Sequence, residues 1–356
     1  MKLPFLMFCI MLSVCVSAQL VDFDNEEIER DFLYNINLYA QQYAGSVVDA
    51  YGVNQATAWQ FSGKTLRPLG FSIALQSSAT FLKESDQQFN FNQTGFSDKL
   101  RLANPNAPNL PTVIGGATEK DLIYQVEGEL TTPFGGTVQY EEDFSALNGI
   151  KTPYNALPKT ALLFSMGLPA NFEVSLRYFP NVEVRDVNHY EYGFGLKHQL
   201  NKYFLEEESP IYVSASVLYN YSRFDYKPQD LLEGENQNVI LEDQTVNAEL
   251  TASYEKEYYS VFGLVSYYTT NTAFNINGTY RYEVEEQDSF GNTVVQEAFS
   301  VTNPVNLSST QGLMRAAIGA SAKYKEIAVL ALAYNFSKYH SLSFNLVFKI
   351  NNQEKE

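Results

Sequence analysis

The chain has 356 residues, 45% hydrophobic, 14% aromatic and 18% charged, with a formal net charge of -17. So much apolar side chain excludes a disordered protein. The acidity argues against a nucleic-acid binder, which needs clustered Lys and Arg to meet phosphates. With 25 Tyr and 25 Phe beside 1 Trp and 2 Cys, and no long apolar run past its start, the composition points to β-structure.

Residues 1–18 read as a secretory signal peptide. Lys2 supplies the charge, Leu3 to Val16 the apolar stretch, and Val16-Ser17-Ala18 the cleavage-site residues. A transmembrane anchor is the competing reading, but the run is short and a polar segment follows it. Both Cys9 and Cys15 lie inside this leader, and Val14 is too large for a lipoprotein cleavage site before Cys15. A mature chain without cysteine fits a Gram-negative envelope better than a disulfide-stapled secreted domain. No later segment is long and apolar enough for a transmembrane helix, so entry into a membrane requires a closed β-barrel.

Residues 19–60 form an N-terminal helical plug segment in this reading. Acidic residues crowd its start, and Ile28, Phe32, Ile36, Tyr39, Tyr43 and Val47 recur at helical spacing. Asp24 with Glu27 resembles a capping box, and Gly45 is a plausible stop after about five turns. Such a helix either packs on one end of a sheet or plugs a barrel mouth.

From Leu66 the period changes to two. Phe71, Ile73 and Leu75 alternate with Ser72, Ala74 and Gln76; Phe172, Val174, Leu176 and Tyr178 alternate with Glu173, Ser175 and Arg177. Phe274, Ile276, Tyr280 and Tyr282 alternate with Asn275, Asn277, Arg281 and Glu283, and Leu342, Phe344, Leu346 and Phe348 with Ser341, Ser343 and Asn345. A soluble sandwich would turn the apolar face inward. Three features favour the inverse, a membrane barrel. Segments such as 211–226 and 312–324 are long; pairs such as Tyr219/Tyr221, Tyr267/Tyr268 and Tyr280/Tyr282 sit toward segment ends, as interfacial girdles do; and the leader and absent cysteines point to the envelope.

Short turns at 169–171, 324–326 and 339–340 contrast with long polar stretches at 104–118, 133–158, 228–244 and 285–304. The expected fold is therefore all-β, an antiparallel transmembrane barrel of 12–14 strands (14 favoured) over residues 61–350, with a polar tail at 351–356. No internal repeat or further domain boundary is visible.

Several segments resemble an uncharacterised family of outer-membrane proteins of Bacteroidetes-type bacteria, grouped with the FadL/toluene-transporter barrels. They are Gly70-Phe71-Ser72-Ile73, Gly167-Leu168-Pro169, Val174 through Pro180, and Gly193-Phe194-Gly195-Leu196-Lys197-His198. The resemblance spans most of the mature chain and implies passive uptake of a small hydrophobic ligand, fatty-acid-like or aromatic, through a plugged lumen. No FadL ligand residue maps onto a position here. The chain also departs from the barrel pattern of a terminal aromatic, so Phe348 or Ile350 takes the part of the assembly signal.

Catalytic chemistry finds little support. His189, His198 and His340 are scattered, and adjacent residues such as His340 and Ser341 point to opposite faces of a strand. Gly193-Phe194-Gly195 lacks the third glycine and helix of a phosphate loop. Asn148-Gly149 suits a turn, and Asn277-Gly278 a strand glycine. The acidic runs 141–143 and 206–208 suit solvated loops, with cation binding as the alternative. The candidate ligand-binding residues are the plug stripe Phe32, Ile36, Tyr39 and Tyr43 and the polar-face charges Glu173, Arg177, Arg281 and Glu283. Those charges either recognise a ligand or brace the barrel by salt bridges. The expectation is a monomeric, non-enzymatic barrel without cofactor or metal, partnered by outer-membrane lipid, lipopolysaccharide and the barrel-assembly machinery. The alternative is a non-transporting structural or surface-interaction barrel.

Overall fold

The structure is a computed structural model that describes residues 21–23, 25–130, 137–149, 151, 153–184, 186–205, 209–227, 234–287, 293–325 and 327–350. The leader, Asp24 of the proposed capping box, the acidic run 206–208 and the tail 351–356 lie outside the described residues.

The chain opens with β1 (Val21–Phe23) and the helix α1 (Asn25–Gln55). After β2 (Phe71–Phe81) comes an excursion carrying β3 (Gln88–Asn90), β4 (Leu100–Leu102), β5 (Asn109–Pro111), β6 (Asp121–Leu130) and β7 (Thr137–Ser145). Then follow β8 (Ala156–Leu168), β9 (Phe172–Val184), β10 (Val187–Gln199) and β11 (Ile211–Tyr226). The last group is β12 (Gly234–Glu255), β13 (Tyr259–Gln287), β14 (Thr293–Thr302), β15 (Val305–Tyr324), β16 (Ala328–Phe336) and β17 (Ser341–Ile350).

Antiparallel pairing runs β2–β8–β9–β10–β11–β12–β13–β15–β16–β17, and β17 pairs back onto β2 with Leu346 opposite Leu75. The wall is thus a closed barrel of ten strands with no free edge. The inverted alternation is what the wall shows. On β12, Asp243, Thr245, Asn247, Glu249, Thr251 and Ser253 are buried, while Val246 and Leu250 are exposed. On β2, Ser72, Ala74, Gln76 and Ser78 point inward, and Phe71, Ile73 and Leu75 outward. Lipid satisfies the apolar outer face, and backbone pairing closes around the circle, with β15 outrunning β16 beyond Ala316 on the long-connection side.

Ten strands replace the expected 12–14 because some β-structure stands off the wall. β6 pairs with β1, β4 and β7 in a small separate sheet, and β3 pairs with β5. The wall strands β12 and β13 are also long, at 22 and 29 residues. Polar stretches expected as loops are partly strand: 137–145, 234–244 and 293–302 all pair. β13 leaves the wall at Asn277-Gly278, pairing with β15 up to Ile276 and with β14 from Thr279. Gly278 takes φ +107 there, a conformation open to glycine, and exchanges hydrogen bonds with Asn303.

One mouth carries the short turns 169–171 and 256–258, the β15–β16 and β10–β11 connections, the start of β2 and the end of β17. The other carries the 82–155 excursion, the β13–β14 extension and also the turn 337–340, which the sequence grouped with the short turns of the first mouth. α1 begins in the layer over the long-connection mouth and descends into the barrel. Residues 56–70 continue through to the short-turn mouth, where Gly63 N–H donates to Ser253 Oγ and Thr65 N–H to Gln199. The wall therefore opens at Phe71, not at residue 61, and the helix runs on past Gly45 to Gln55.

Leu332, midway along β16 and 56% exposed, tests the inverted polarity. In a bilayer Leu332→Arg should cost about 2–4 kcal/mol of unfolding free energy. A change within about 0.5 kcal/mol, ordinary for a water-facing position, would contradict a lipid-facing wall. Urea titration of protein folded in vesicles reads the difference.

Candidate functional site

The upper half of α1 builds the core of the outer layer. Ile28 and Phe32 pack on Tyr124, Tyr280 and Val301, with Ile36 beside them. The Phe32 ring meets Tyr124 edge-on at 5.4 Å. Tyr39 packs on Phe89, Leu102, Leu110 and Leu122, and Tyr43 stacks on Tyr39. The Tyr39 hydroxyl accepts the Leu147 N–H at 3.0 Å, and the Tyr43 hydroxyl donates to the Asn148 carbonyl at 2.7 Å. Burial pushes the Tyr39 phenol up to about 12, partly offset by the Leu147 N–H. Tyr124 is pushed well up by burial and by the Asp31 carboxylate that its hydroxyl meets at 2.9 Å. The expected plug stripe of Phe32, Ile36, Tyr39 and Tyr43 thus neither seals the lumen nor lines a lumen pocket. It is the apolar core of the layer above. Tyr280, expected in a membrane girdle, belongs to the same core.

The lower half of α1 is the true plug. Ala50, Val53 and Ala56 pack against Leu82, Ile114, Tyr268 and Tyr339. Small residues are needed here: a Cβ on Gly52 would stand 2.7 Å from Thr270 Cγ2. Below the helix Trp59, the chain's single tryptophan, fills the lumen among Ala74, Leu163, Leu218, Val329 and Val347. Its ring lies against β10, where a Cβ on Gly193 would come within 2.9 Å of it. The glycines of Gly193-Phe194-Gly195 therefore make room for Trp59, in line with their reading as strand packing.

Arg177 joins plug to wall. It is 1% exposed, and its guanidinium lies 3.8 Å from the Trp59 ring centroid. It donates to Gln76 Oε1 at 2.9 Å, to the Gln55 carbonyl at 3.0 Å and to the Thr57 carbonyl at 2.7 Å. Gln55 Oε1 accepts from Asn220 at 2.6 Å and from Lys159. Gln76 donates to the Ala58 carbonyl, Asn247 to the Ala56 carbonyl at 3.4 Å, and Asn54 to the Leu157 carbonyl at 3.0 Å. Lys159 pairs with Glu191 at 2.9 Å, and Arg177 lies 3.9 Å from the same carboxylate. Arg315 pairs with Glu249 from the far side of the lumen and donates to Asn335 at 3.0 Å. Asp243 accepts from Thr245, Thr270 and Thr272.

Of the four charges expected in the lumen, two are there. Arg177 is the hub just described. Glu173 sits nearer the short-turn mouth and accepts the Leu66 N–H at 2.9 Å. Arg281 lies on the β13 extension beyond the wall, exposed, with Glu235 at 3.6 Å. Glu283 is opposite Glu297 on that extension, and its side chain lies outside the described residues. Both were misplaced because β13 outruns the membrane, where a polar face need not face a lumen. Lys159, Glu191, Glu249, Arg315 and Asp243 were missed, although all but Asp243, which follows Glu242, are isolated charges in a strand.

The plug divides the lumen. Toward the long-connection mouth a cavity of about 510 Å³ is lined by Gln41, Gln42, Asp49, Asp86, Ser309 and Tyr339 among others. Toward the short-turn mouth lies one of about 310 Å³, with Trp59, Glu173, Lys197 and Lys323 among its walls. The two share no lining residue. The histidines are far apart in role: His189 stacks on Phe224 at 3.9 Å, His198 on Phe172 at 4.0 Å, and His340 lies beside Tyr334 and Phe336.

Among solved structures, the translocator domain of the autotransporter NalP from Neisseria meningitidis is similar at 9% identity and a TM-score of 0.27, over 94% of this chain and 100% of that one. The transport unit of the autotransporter AIDA-I from Escherichia coli is similar at 9% identity and a TM-score of 0.30, over 87% and 99%. A bacterial polysaccharide outer membrane secretin is similar at 11% identity and a TM-score of 0.26, over 79% and 98%. These likenesses are loose, and the closed wall rests on its own strand pairings. No curated protein matches the chain. A family model described as a family of unknown function, DUF6588, matches residues 1–350, and the chain belongs to that family.

Proposed function

We propose that this chain is a sealed outer-membrane barrel, exported through a cleaved leader, that anchors a folded layer and its own mature N terminus on the cell surface. The observation that carries this reading is the latched plug. Arg177, Gln76 and Asn247 hold the backbone carbonyls of residues 55–58, and Trp59 fills the lumen beneath them. Long connections face outward in such barrels and short turns face the periplasm. β1, at the start of the described chain, pairs with β6 in the outer layer, whereas β17 ends at the short-turn mouth. Outer-membrane lipid and lipopolysaccharide are the partners of the apolar belt, and the barrel-assembly machinery the partner of β17. The reading needs no second copy, nucleic acid, cofactor or enzymatic step.

Passive uptake of small hydrophobic molecules is the second reading, the one a FadL-type kinship in Bacteroidetes-type bacteria would bring. One observation favours it: a groove of about 330 Å³ along the outer flank of α1, lined by Leu33, Tyr34, Leu38 and Leu307 with Arg30 at its end. An apolar solute lodged there reaches the lumen only if α1 withdraws.

Three measurements test these readings. In planar bilayers the intact protein should pass no steady ionic current, and Arg177→Ala, which frees the carbonyls of Gln55 and Thr57, should raise conductance. Stable open pores from the intact chain, or selective flux of a fatty acid or aromatic hydrocarbon through it, would favour uptake. An epitope inserted between Ala18 and Gln19 should be bound by antibody on intact cells, and one appended after Glu356 only after permeabilisation; the reverse pattern would overturn the orientation. The outer layer should also loosen in alkali. Tyr39 and Tyr124 hold their protons more tightly folded than unfolded, so their contribution is complete below the ordinary tyrosine value of 10.0 and falls as pH rises toward about 12. Protease cleavage within 82–155 should accelerate over that range while the wall stays protected.

A further inference from the structure

The cavity at the short-turn mouth differs in charge from the protein that contains it. In a chain of net charge -17, its walls gather Lys64, Arg67, Lys197, Lys323, Lys325 and Lys349 against two carboxylates, Glu173 and Glu255. Both carboxylates are engaged. Glu255 pairs with Lys323 and accepts from Ser62 at 2.6 Å and Ser253 at 2.7 Å. Glu173 accepts the Leu66 N–H.

Lys197 is the informative residue. It projects inward from β10 and is 3% exposed, yet makes no ion pair among the described residues. Its ammonium donates to the Lys64 carbonyl at 3.0 Å, a neutral acceptor, with no carboxylate among the described residues in ion-pair contact with it. Its cross-strand partner Glu173 turns to the backbone instead. A buried cation is costly unless an anion pairs with it, and low-dielectric walls concentrate the field of the lysines inside the cavity. The inner end of the same cavity is apolar, walled by Trp59, Ala74, Leu163, Val329 and Val347.

We propose that this cavity binds a small amphiphilic anion from the periplasmic side, its carboxylate or phosphate against Lys197 and its apolar part against Trp59. Trp59 is the single tryptophan, so its fluorescence reports occupancy directly. The detergent-folded full chain is titrated with phenyl phosphate and with benzoate, which separate the two headgroups, and with benzyl alcohol and benzylamine as neutral and cationic matches; calorimetry gives the affinities. At least one of the two anions should bind saturably, more weakly as salt rises, while the alcohol and the amine do not. Lys197→Met should weaken binding at least about tenfold. Lys325→Gln, in an exposed turn at the cavity rim, keeps the test available if the Lys197 variant does not fold, and should weaken binding by a smaller factor. No saturable binding of either anion, equal binding of the amine, or affinity unchanged in whichever variants fold would overturn the proposal.

Discussion

Helix α1 ends inside the barrel, and a helix that ends away from water must still satisfy its last carbonyls. The carbonyl of Gln55 accepts from Arg177 and from the Trp59 indole, and those of Ala56, Thr57 and Ala58 accept from Asn247, Arg177 and Gln76. A cation at a helix C terminus is also favoured by the helix dipole. Much of the lumen follows from this contact. Arg177 needs a carboxylate nearby, which Glu191 supplies, and Lys159 shares that carboxylate with it. Trp59 stacks on the guanidinium and requires glycine at 193 on the facing strand.

The wall makes this arrangement necessary. Lipid takes the apolar face of every strand, so the face left for the lumen is largely Ser, Thr, Asn and charge, with an apolar patch of Ala74, Leu163, Leu218, Val329 and Val347 around Trp59. Such a surface can be hydrated or packed. Between Ala50 and Trp59 it is packed by the chain itself, with small residues where the wall is close and polar ones where the wall presents donors. Toward each mouth the packing relaxes into a cavity, and the two differ in charge. Asp49 and Asp86 stand in the outer one, and lysines dominate the inner one.

The wall was legible in the sequence because the membrane imposes a strict rule on it. Phe71, Ile73 and Leu75 against Ser72, Ala74 and Gln76 can be read without knowing a single partner strand. The rule lapses outside the membrane. Residues 137–145, 234–244 and 293–302 pair as strands, but their polarity matches that of loops, so the extent of strand was underestimated there, while the wall count was overestimated because some β-structure stands off the wall. Gly45 looked like a stop because helix propensity is local, whereas the barrel that carries the helix on to Gln55 is not. The stripe from Phe32 to Tyr43 was read correctly as a buried helix face, but against the wrong partner: the excursion 82–155 folds over it, and nothing local announces that. Arg177 could be found because a charge at membrane depth is conspicuous. Lys159, Glu191, Glu249 and Arg315 carry the same signal, but their pairing depends on which strands the closed circle sets across from one another.

The sealed-barrel reading places function at the mouths. A solute crossing the middle of the lumen would have to displace Trp59 and separate Arg177 from the Gln55 and Thr57 carbonyls, stranding a buried guanidinium beside the Lys159–Glu191 pair. Breaking one side of such a buried ionic contact typically costs about 3–5 kcal/mol. The plug also cannot shift alone, because the same helix carries Phe32 and Tyr39 in the core of the outer layer. Withdrawing the lower half pulls the layer apart, and disturbing the layer pulls on the plug. Recognition at either mouth requires neither. In the sealed-barrel reading the outer layer presents side chains to the surroundings over a closed floor, and the lysine-walled cavity lies on the opposite side of that floor.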